Sequence, residues 1–238
     1  MNLTDDSTDV SNARLDVLTR LSHELRTPLN SVIGFSRLLQ RNRVGNQRPN
    51  DLEMLRAIRV NGERLLGLVE DLMAISCASP SFLNTASPWA CIADIADACV
   101  RQWKPAALAT GLDIVLEVQS SGQLRVDATT LSRVLCKLVG NAVKFTESGL
   151  VTVTVTCSAR GDTPGSVVVA DTGIGIRSNR MATIFDPFTQ VDSSTSRSYE
   201  GAGLGLSVAR ALAESLHYHL SVQSTEGVGT RFTLELDA

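Results

Sequence analysis

The sequence predicts an α + α/β protein, in which a helical hairpin is followed by a sandwich of helices on a mixed sheet. Residues 11–77 contain two long runs in which apolar residues recur at alternating steps of three and four, as in amphipathic helices. Residues 78–87 are rich in Ser, Ala and Pro and are predicted to be a linker. Residues 88–238 alternate between helical and strand patterns and form the second predicted domain. Residues 1–10 are polar and acidic and are predicted to be a flexible N-terminus.

The first helix is predicted from about residue 11 to residue 39. Its apolar seam consists of Leu18, Leu21, Leu25, Pro28, Val32, Phe35 and Leu39. His23 is two residues from its seam neighbours on either side, about 200° around a helix from each, so its imidazole is predicted to face water. Thr27 and Asn30 follow on the same outward face. Pro28 leaves the carbonyl of Glu24 without its helical donor, so the helix is predicted to bend just after His23.

The second helix is predicted to complete a hairpin. Residues 41–49 are predicted to be a turn because they include Gly45, Asn46 and Pro49. A second apolar seam then runs from Leu52 to Met73. Each helix of such a hairpin leaves part of its apolar stripe uncovered, and pairing two hairpins into a four-helix bundle covers it. We therefore predict a homodimer through the hairpin. The alternative is a hairpin that packs on its own neighbouring domain.

The second domain is predicted to contain three helices and five strands. The helices cover residues 90–108, the segment after the N-cap residue Asp127, and residues 204–216. The strands cover residues 112–118, 151–157, 167–170, 220–223 and 231–236. Helices bundled on one side of a mixed sheet give an α/β sandwich.

Composition argues against several classes of function. A net charge of −3 over 238 residues provides no basic surface for nucleic acid. No apolar run reaches the roughly 18–20 residues of a membrane span, and no signal-peptide core follows Met1. The five cysteines lack C-x-x-C spacing and there are three histidines, so neither a zinc site nor a disulfide framework is predicted. We expect a cytoplasmic chain with reduced cysteines and no contact with membrane or nucleic acid.

Residues 21–30 read Leu-Ser-His-Glu-Leu-Arg-Thr-Pro-Leu-Asn. A surface His followed by Glu is common, but the whole string resembles the H-box of sensor histidine kinases. That resemblance implies that His23 attacks the γ-phosphate of ATP while Glu24 accepts or orients the proton on the far ring nitrogen. It also implies that Thr27 and Asn30 orient water for a reverse phosphatase reaction.

Residues 137–146 resemble the N-box, the first of five nucleotide-binding segments that occur in the order typical of the family. The resemblance implies that Asn141 binds Mg²⁺ through its amide oxygen while the metal bridges phosphate oxygens. Lys144, three residues further along the same helical face, can meet a phosphate. Where the family commonly has a second Asn, this chain has Lys137. A lysine cannot coordinate Mg²⁺ but can contact phosphate directly.

The segment after the predicted strand 167–170 resembles the first glycine box and implies an adenine site. Asp171 can accept a hydrogen bond from the adenine amino group. Gly173 and Gly175 allow the backbone to approach the base, and Ile176 completes the motif.

Three further segments complete the implied nucleotide site. Phe185 and Phe188 resemble the F-box, which anchors a predicted flexible lid where Arg197 can reach the triphosphate. A second glycine box opens the helix at 204–216, where backbone N–H groups favour phosphate; it contains Gly201, Gly203, Leu204, Gly205 and Leu206. Residues 226–232 match the last glycine box, in which Thr230 is predicted to support the adenine-binding carboxylate.

The resemblance covers about residues 14–236 and implies a dimerisation and histidine-phosphotransfer hairpin before a Bergerat-type (GHKL) ATP-binding domain. It implies ATP and Mg²⁺ as cofactors and the receiver domain of a response regulator as partner, with a sensor domain or sensing partner as a further possibility. Related ATPases use a Glu at the position of Lys137, so a dedicated ATPase is not expected. A dimeric pseudokinase that regulates a partner by docking is the alternative.

The sequence leaves two questions open. The chain shows no sensor or receiver domain, so it is either a kinase that takes its signal from a partner or the core of a longer protein. Whether His23 is phosphorylated in cis or in trans depends on the handedness of the turn at 41–49, which composition does not determine.

Overall fold

A computed structural model of the chain describes residues 25, 27–39, 49–76, 88–120, 122–156, 165–189 and 203–236. The chain divides into two compact units, Met1–Met73 and Ala74–Ala238. The predicted N-terminal segment, the linker and nearly all of the predicted turn lie outside the described residues. Among the helices that are described, none combines the length and the apolar composition that crossing a membrane requires.

The first unit contains helix α1, described over residues 27–39, and helix α2, which begins at Pro49 and continues beyond this unit to Ser76 (Pro49–Ser76). Pro28 is buried, whereas Thr27 and Asn30 are exposed, as the seam pattern predicts. Placing Pro49 in the turn was wrong, because it is the first residue of α2. A proline at this position costs no helical hydrogen bond, since the first N–H groups of a helix have no partner within it.

Both helices of this unit present apolar side chains to solvent. Leu29 and Ile33 are exposed on α1. On α2, Leu66, Val69 and Met73 follow one another at steps of three and four and are 59%, 42% and 60% exposed. We call these three residues the α2 stripe. Because their spacing places them along one side of the helix, they form a continuous apolar strip.

The second unit contains three helices and seven strands among the described residues. In chain order they are β1 (Trp89–Cys91), α3 (Ile92–Ala109), β2 (Asp113–Val118), β3 (Gln123–Arg125), α4 (Ala128–Phe145), β4 (Leu150–Thr156), β5 (Ser166–Asp171), α5 (Gly205–Ser215), β6 (His219–Thr225) and β7 (Gly229–Glu235). The main sheet has the order β2-β4-β5-β7-β6. Strands β2 and β4 are parallel and the other pairs are antiparallel, so the predicted mixed sheet is confirmed.

The core lies between one face of this sheet and the three helices. Burial alternates along the central strands, so Val151, Val153 and Val155 of β4 are buried on one face. Helix α4 buries its apolar stripe, which includes Leu131 and Leu138.

The start of α4 is set by the predicted N-cap. Oδ1 of Asp127 accepts the N–H of Thr129 at 2.9 Å and of Thr130 at 3.3 Å. Although burial works in the opposite direction, the hydroxyl and N–H of Thr130 and the N–H of Thr129 lower the pKa of Asp127. The cap is therefore a carboxylate at neutral pH, which suits the positive end of a helix.

Strands β1 and β3, which pair as a separate two-stranded sheet, were not predicted from the sequence pattern. Each has three residues, too few for a visible alternation of apolar and polar side chains. Helix α3 consequently begins two residues later than predicted, because Ala90 and Cys91 belong to β1. The guanidinium of Arg125 lies 5.3 Å from the ring centre of Trp89 across this pair.

Candidate functional site

Asp171 is the last residue of β5 and presents a half-buried carboxylate. Its Oδ1 atom accepts the N–H of Gly173 at 2.9 Å and the N–H of Thr230 at 3.2 Å. In the described part of the chain no donor contacts Oδ2, so this oxygen remains an acceptor for a ligand. Burial raises the pKa of Asp171, and the two N–H groups oppose that rise. The carboxylate is thus fixed in orientation through one oxygen while the other is left to bind.

The two glycines after Asp171 are required by the protein's own backbone. A Cβ atom on Gly173 would lie 2.3 Å from the carbonyl oxygen of Phe145, at the end of α4. Gly175 has φ +65°, and a Cβ there would lie 2.0 Å from the carbonyl oxygen of Thr225. The N–H of Ile174 also donates to the carbonyl of Phe145 at 3.2 Å. The first glycine box is therefore packed directly against the end of the N-box helix and the end of β6.

Ser224 of β6 connects two glycine boxes, and the sequence analysis did not identify it. Its hydroxyl oxygen accepts the N–H of Ile176 at 2.8 Å and lies 2.9 Å from the hydroxyl of Thr230. The same hydroxyl donates to the carbonyl of Gly229 at 2.9 Å. The signal that could have found it is the register of the β6–β7 hairpin, which places Ser224 opposite Thr230.

Polar groups of α4 face the N-terminus of α5. The amide atoms of Asn141 would lie 3.5 Å from a Cβ atom added to Gly205, the first residue of α5. Lys137 and Lys144 lie one turn before and one turn after Asn141 on α4. The ammonium of Lys144 lies 4.9 Å from the ring centre of Phe145. The Asn141 side chain thus faces the N–H groups that begin α5, and two lysines flank it along α4, a combination that suits a phosphorylated ligand.

The same residues fit a magnesium ion only when phosphate is present. Among the described residues, no group of three or more His, Cys, Asp or Glu side chains could hold a metal. Mg²⁺ does not require such a cage, because it keeps several waters and binds one or two protein oxygens together with substrate phosphates. Asn141 can supply one such oxygen.

Described residues of the F-box and of the second glycine box contact each other directly. Phe188 is buried and has φ +64°, an uncommon value for a bulky residue. Its N–H donates to the carbonyl of Gly203 at 3.0 Å. Gly203 itself has φ +68°, and a Cβ there would lie 2.9 Å from the carbonyl oxygen of Thr189. Phe185 meets Phe232 edge-on, with ring centres 6.4 Å apart.

The described site residues come together from distant parts of the sequence. Each of the five boxes contributes at least one described residue: Asn141, Asp171, Phe188, Gly203 and Thr230. The contacts between these boxes lie around the ends of α4, β5 and β7. Leu204 is buried and Leu206 half-buried at the start of α5. Thr27 and Asn30 are exposed in the first unit. The remaining predicted site residues, His23, Glu24, Arg197 and Gly201, lie outside the described residues.

Comparison with known proteins identifies both units. Residues 126–238 match the histidine kinase-, DNA gyrase B- and HSP90-like ATPase family. Residues 13–80 match the His Kinase A (phospho-acceptor) domain. The second unit is therefore an ATP-binding domain of the GHKL class, preceded by a phosphoacceptor domain. The chain belongs to the sensor histidine kinases, of which it represents the catalytic core.

Individual relatives agree with this assignment. The autoinducer 2 sensor kinase/phosphatase LuxQ of Vibrio cholerae is 34% identical over 227 residues, which are 94% of this chain and 26% of LuxQ. The chain thus spans about a quarter of that relative. The crystal structure of full-length ShkA in complex with AMPPNP is 31% identical, with a TM-score of 0.67 over 92% of this chain and 45% of ShkA. The histidine kinase AdeS of Acinetobacter baumannii has the same fold, with 20% identity and a TM-score of 0.67 over 90% of this chain and 96% of AdeS.

Proposed function

We propose that this chain is an ATP-dependent autokinase that phosphorylates His23 and passes the phosphoryl group to an aspartate of a response regulator. The observation that carries this proposal is the Asp171 carboxylate, which is fixed through Oδ1 while Oδ2 is left to accept. Such an acceptor favours adenine, whose amino group is a donor, over guanine, which has an oxygen at that position. The H-box in the same chain supplies the acceptor for a phosphoryl group.

On the donor side, Asp171 binds the adenine amino group and Asn141 supplies an oxygen to Mg²⁺. A Mg²⁺ ion held there would supply positive charge to offset the charge of the phosphates. Lys144 and the N–H groups at the start of α5 contact the phosphates. Arg197 is proposed to reach the triphosphate. The supporting backbone positions are Gly173, Gly175, Ile176, Phe185, Phe188, Gly201, Gly203, Leu204, Gly205, Leu206 and Thr230.

On the acceptor side, a ring nitrogen of His23 attacks the γ-phosphorus in line. The new N–P bond forms as the bond from the γ-phosphorus to the β,γ-bridging oxygen breaks, and ADP leaves with that electron pair. Glu24 accepts the proton of the far ring nitrogen, which raises the nucleophilicity of the attacking one.

The phosphoryl group then passes to an aspartate of a receiver domain. In the reverse direction, we propose that Thr27 and Asn30 orient water for removal of phosphate from that aspartate. LuxQ, a relative, is named a sensor kinase/phosphatase. We place the reaction in the cytoplasm, where ATP is supplied, and expect the signal to come from a sensor domain or a sensing partner.

We also propose that the chain acts as a homodimer through residues 11–77, with residues 78–87 as linker and residues 88–238 as catalytic domain. The exposed α2 stripe supports this, because a second copy of the same strip would remove it from water in a four-helix bundle.

The test is incubation of the full chain with γ-labelled ATP and Mg²⁺, beside a known histidine kinase. We expect acid-labile, base-stable label on the wild-type chain and none on His23→Ala, which should still bind nucleotide. A wild-type chain that binds ATP and dimerises but never takes up label would contradict the proposal and favour a pseudokinase.

A further inference from the structure

Helices α3 and α4 bring two cysteines together that are 37 positions apart in the sequence, Cys99 and Cys136. One helical turn beyond the two cysteines, the ring of Trp103 on α3 lies over Gly140 on α4. A Cβ atom on that glycine would be 2.6 Å from the ring atom Cζ2, so this contact fixes how the two helices align. Cys99 precedes Trp103 by four residues, and Cys136 precedes Gly140 by four. The Cys136 sulfur also lies 3.5 Å from Oε1 of Gln102, three residues after Cys99 on α3. These two contacts place the sulfur atoms of Cys99 and Cys136 beside each other, with the Cys99 thiol as hydrogen-bond donor to Cys136.

The two thiols have different surroundings. Cys99 is buried with 1% exposure, whereas Cys136 is half-buried, so small molecules in solution can reach it more easily. In its protonated form, Cys136 lies 3.5 Å from Oε1 of Gln102 and donates to it. The indole N–H of Trp103 is buried and has no hydrogen-bond partner of ordinary geometry among the described residues. A thiolate at Cys136 would give that N–H a negatively charged neighbour.

The pKa values of the two thiols are shifted in opposite directions. The hydrogen bond from Cys99 lowers the pKa of Cys136 to about 7 against the effect of burial, with further help from Ser132, Trp103 and the charge of Lys137. The same hydrogen bond, together with burial, raises the pKa of Cys99. Near neutral pH a substantial fraction of Cys136 is therefore thiolate, while Cys99 keeps its proton. Partly exposed thiolates beside cationic groups are the typical reactive cysteines of proteins.

We propose that Cys136 and Cys99 form a hydroperoxide-reactive dithiol, with Cys136 as the attacking thiolate and Cys99 as the resolving thiol. The Cys136 sulfur attacks one oxygen of hydrogen peroxide, the O–O bond breaks, and protonation of the departing hydroxide gives water and Cys136 sulfenic acid. The Cys99 thiol then attacks that sulfur, which forms the S–S bond and releases a second water. Two thiols lose two electrons in total, and one peroxide is reduced to two waters.

Oxidation at this position acts on the helix that carries the nucleotide residues. Lys137 and Asn141 follow Cys136 by one and five residues on α4. A disulfide demands a specific separation and dihedral angle, so closing it displaces α4 relative to α3 at that level. We therefore expect the disulfide to weaken ATP binding severalfold and a reducing agent to restore it, an effect that depends on the proposed ATP site.

The chemistry is tested on the full reduced chain with hydrogen peroxide at one to ten equivalents. Intact mass should fall by two hydrogens, and a non-reducing digest should contain a peptide in which Cys99 is linked to Cys136. Cys99→Ser should accumulate sulfenic acid on Cys136 that dimedone traps, and Cys136→Ser should form neither product. Cys91→Ser, which removes another half-buried thiol, is the matched control and should behave as wild type.

Two outcomes would overturn the dithiol: linkage of a different cysteine pair, or oxidation of Cys136 no faster than Cys91. Titration of a fluorescent ATP analogue into the reduced, oxidised and re-reduced chain tests the effect on binding. If the reduced chain fails to bind nucleotide, the proposed ATP site is wrong, but the linkage of Cys99 to Cys136 is still decided by the digest. If the disulfide forms and binding is unchanged, the coupling to α4 is wrong.

Discussion

Asp171 has two carboxylate oxygens with different surroundings, and substitution by asparagine separates their roles. In Asp171→Asn the amide oxygen can still accept the N–H groups of Gly173 and Thr230. The amide NH₂ replaces Oδ2, so a donor now faces the adenine amino group. We expect ATP affinity to fall about 30- to 150-fold, as for the loss of about 2–3 kcal/mol from a hydrogen bond to a charged group. Titration with fluorescent ATP measures this. Inosine triphosphate has an acceptor oxygen at that position, so the substitution should reduce affinity for this nucleotide much less. An equal reduction for both nucleotides would contradict adenine recognition by Asp171.

The pH dependence of stability tests the burial of the same carboxylate. Burial raises the pKa of Asp171 above its value in the unfolded chain, so the folded state holds its proton more tightly. Its contribution to stability is therefore complete below the unfolded pKa and is lost as pH rises through the raised folded pKa. We expect the free energy of unfolding of the nucleotide-free chain, relative to Asp171→Asn, to decrease as pH rises from the acidic range to neutrality. Urea titrations at several pH values measure this difference, and an increase with pH would show that the hydrogen bonds to Oδ1 outweigh burial.

Substitution of Lys137 tests how strongly ATP binding depends on Mg²⁺. Lys137 precedes Asn141 by one turn of α4, and we propose that its ammonium contacts phosphate directly. Removing Mg²⁺ with EDTA should then weaken ATP binding less in wild type than in Lys137→Asn. The difference should be about two- to fivefold, because a partly exposed charge pair contributes about 1 kcal/mol or less. Lys104→Asn removes an exposed lysine of α3 and serves as control. The same EDTA effect on all three chains would exclude a role of Lys137 in metal dependence.

At the scale of the helix or strand, prediction from sequence succeeded where a local signal was strong. Asp127 caps α4, and β5 ends at Asp171, because capping and alternation act over a few adjacent residues. Strands β1 and β3 were missed because each is too short to alternate visibly. Ser224 was missed for a different reason. Its role follows from pairing with Thr230 across a hairpin, and nothing in its own segment of sequence indicates that contact.

The loop after β5 provides a prediction about backbone packing. Gly175 and Gly227 both have positive φ, but an added Cβ would meet the carbonyl oxygen of Thr225 only at Gly175 and would meet nothing within 4 Å at Gly227. Gly227→Ala should therefore cost only the strain of a left-handed alanine, about 1 kcal/mol. Gly175→Ala should cost at least about 2 kcal/mol more, because the loop must move away from β6. Thermal or urea unfolding of both variants measures this, and equal destabilisation would contradict the close packing of this loop.

At the scale of the molecule, the nucleotide boxes meet because of sheet topology. Strands β5 and β7 pair with Asp171 opposite Thr230, which aligns the first and last glycine boxes although 58 residues separate them in the chain. The order of motifs along the sequence indicated the family through resemblance. It did not indicate which backbone atoms touch, such as the carbonyl of Phe145 against Gly173, because those contacts depend on how distant elements pack.

Substitutions in the α2 stripe test whether this surface forms the proposed dimer interface. Replacing Leu66 and Val69 with Glu places two charges on a surface that the proposed dimer would bury, where an unpaired charge costs several kcal/mol. We expect Leu66→Glu combined with Val69→Glu to halve the mass measured by light scattering. ATP affinity should stay unchanged, because the nucleotide residues lie in the second unit. Glu63→Ala, which removes an exposed side chain of the same helix, should remain dimeric. A variant that stays dimeric, or a wild-type chain that is monomeric at micromolar concentration, would show that the stripe is not the dimer interface.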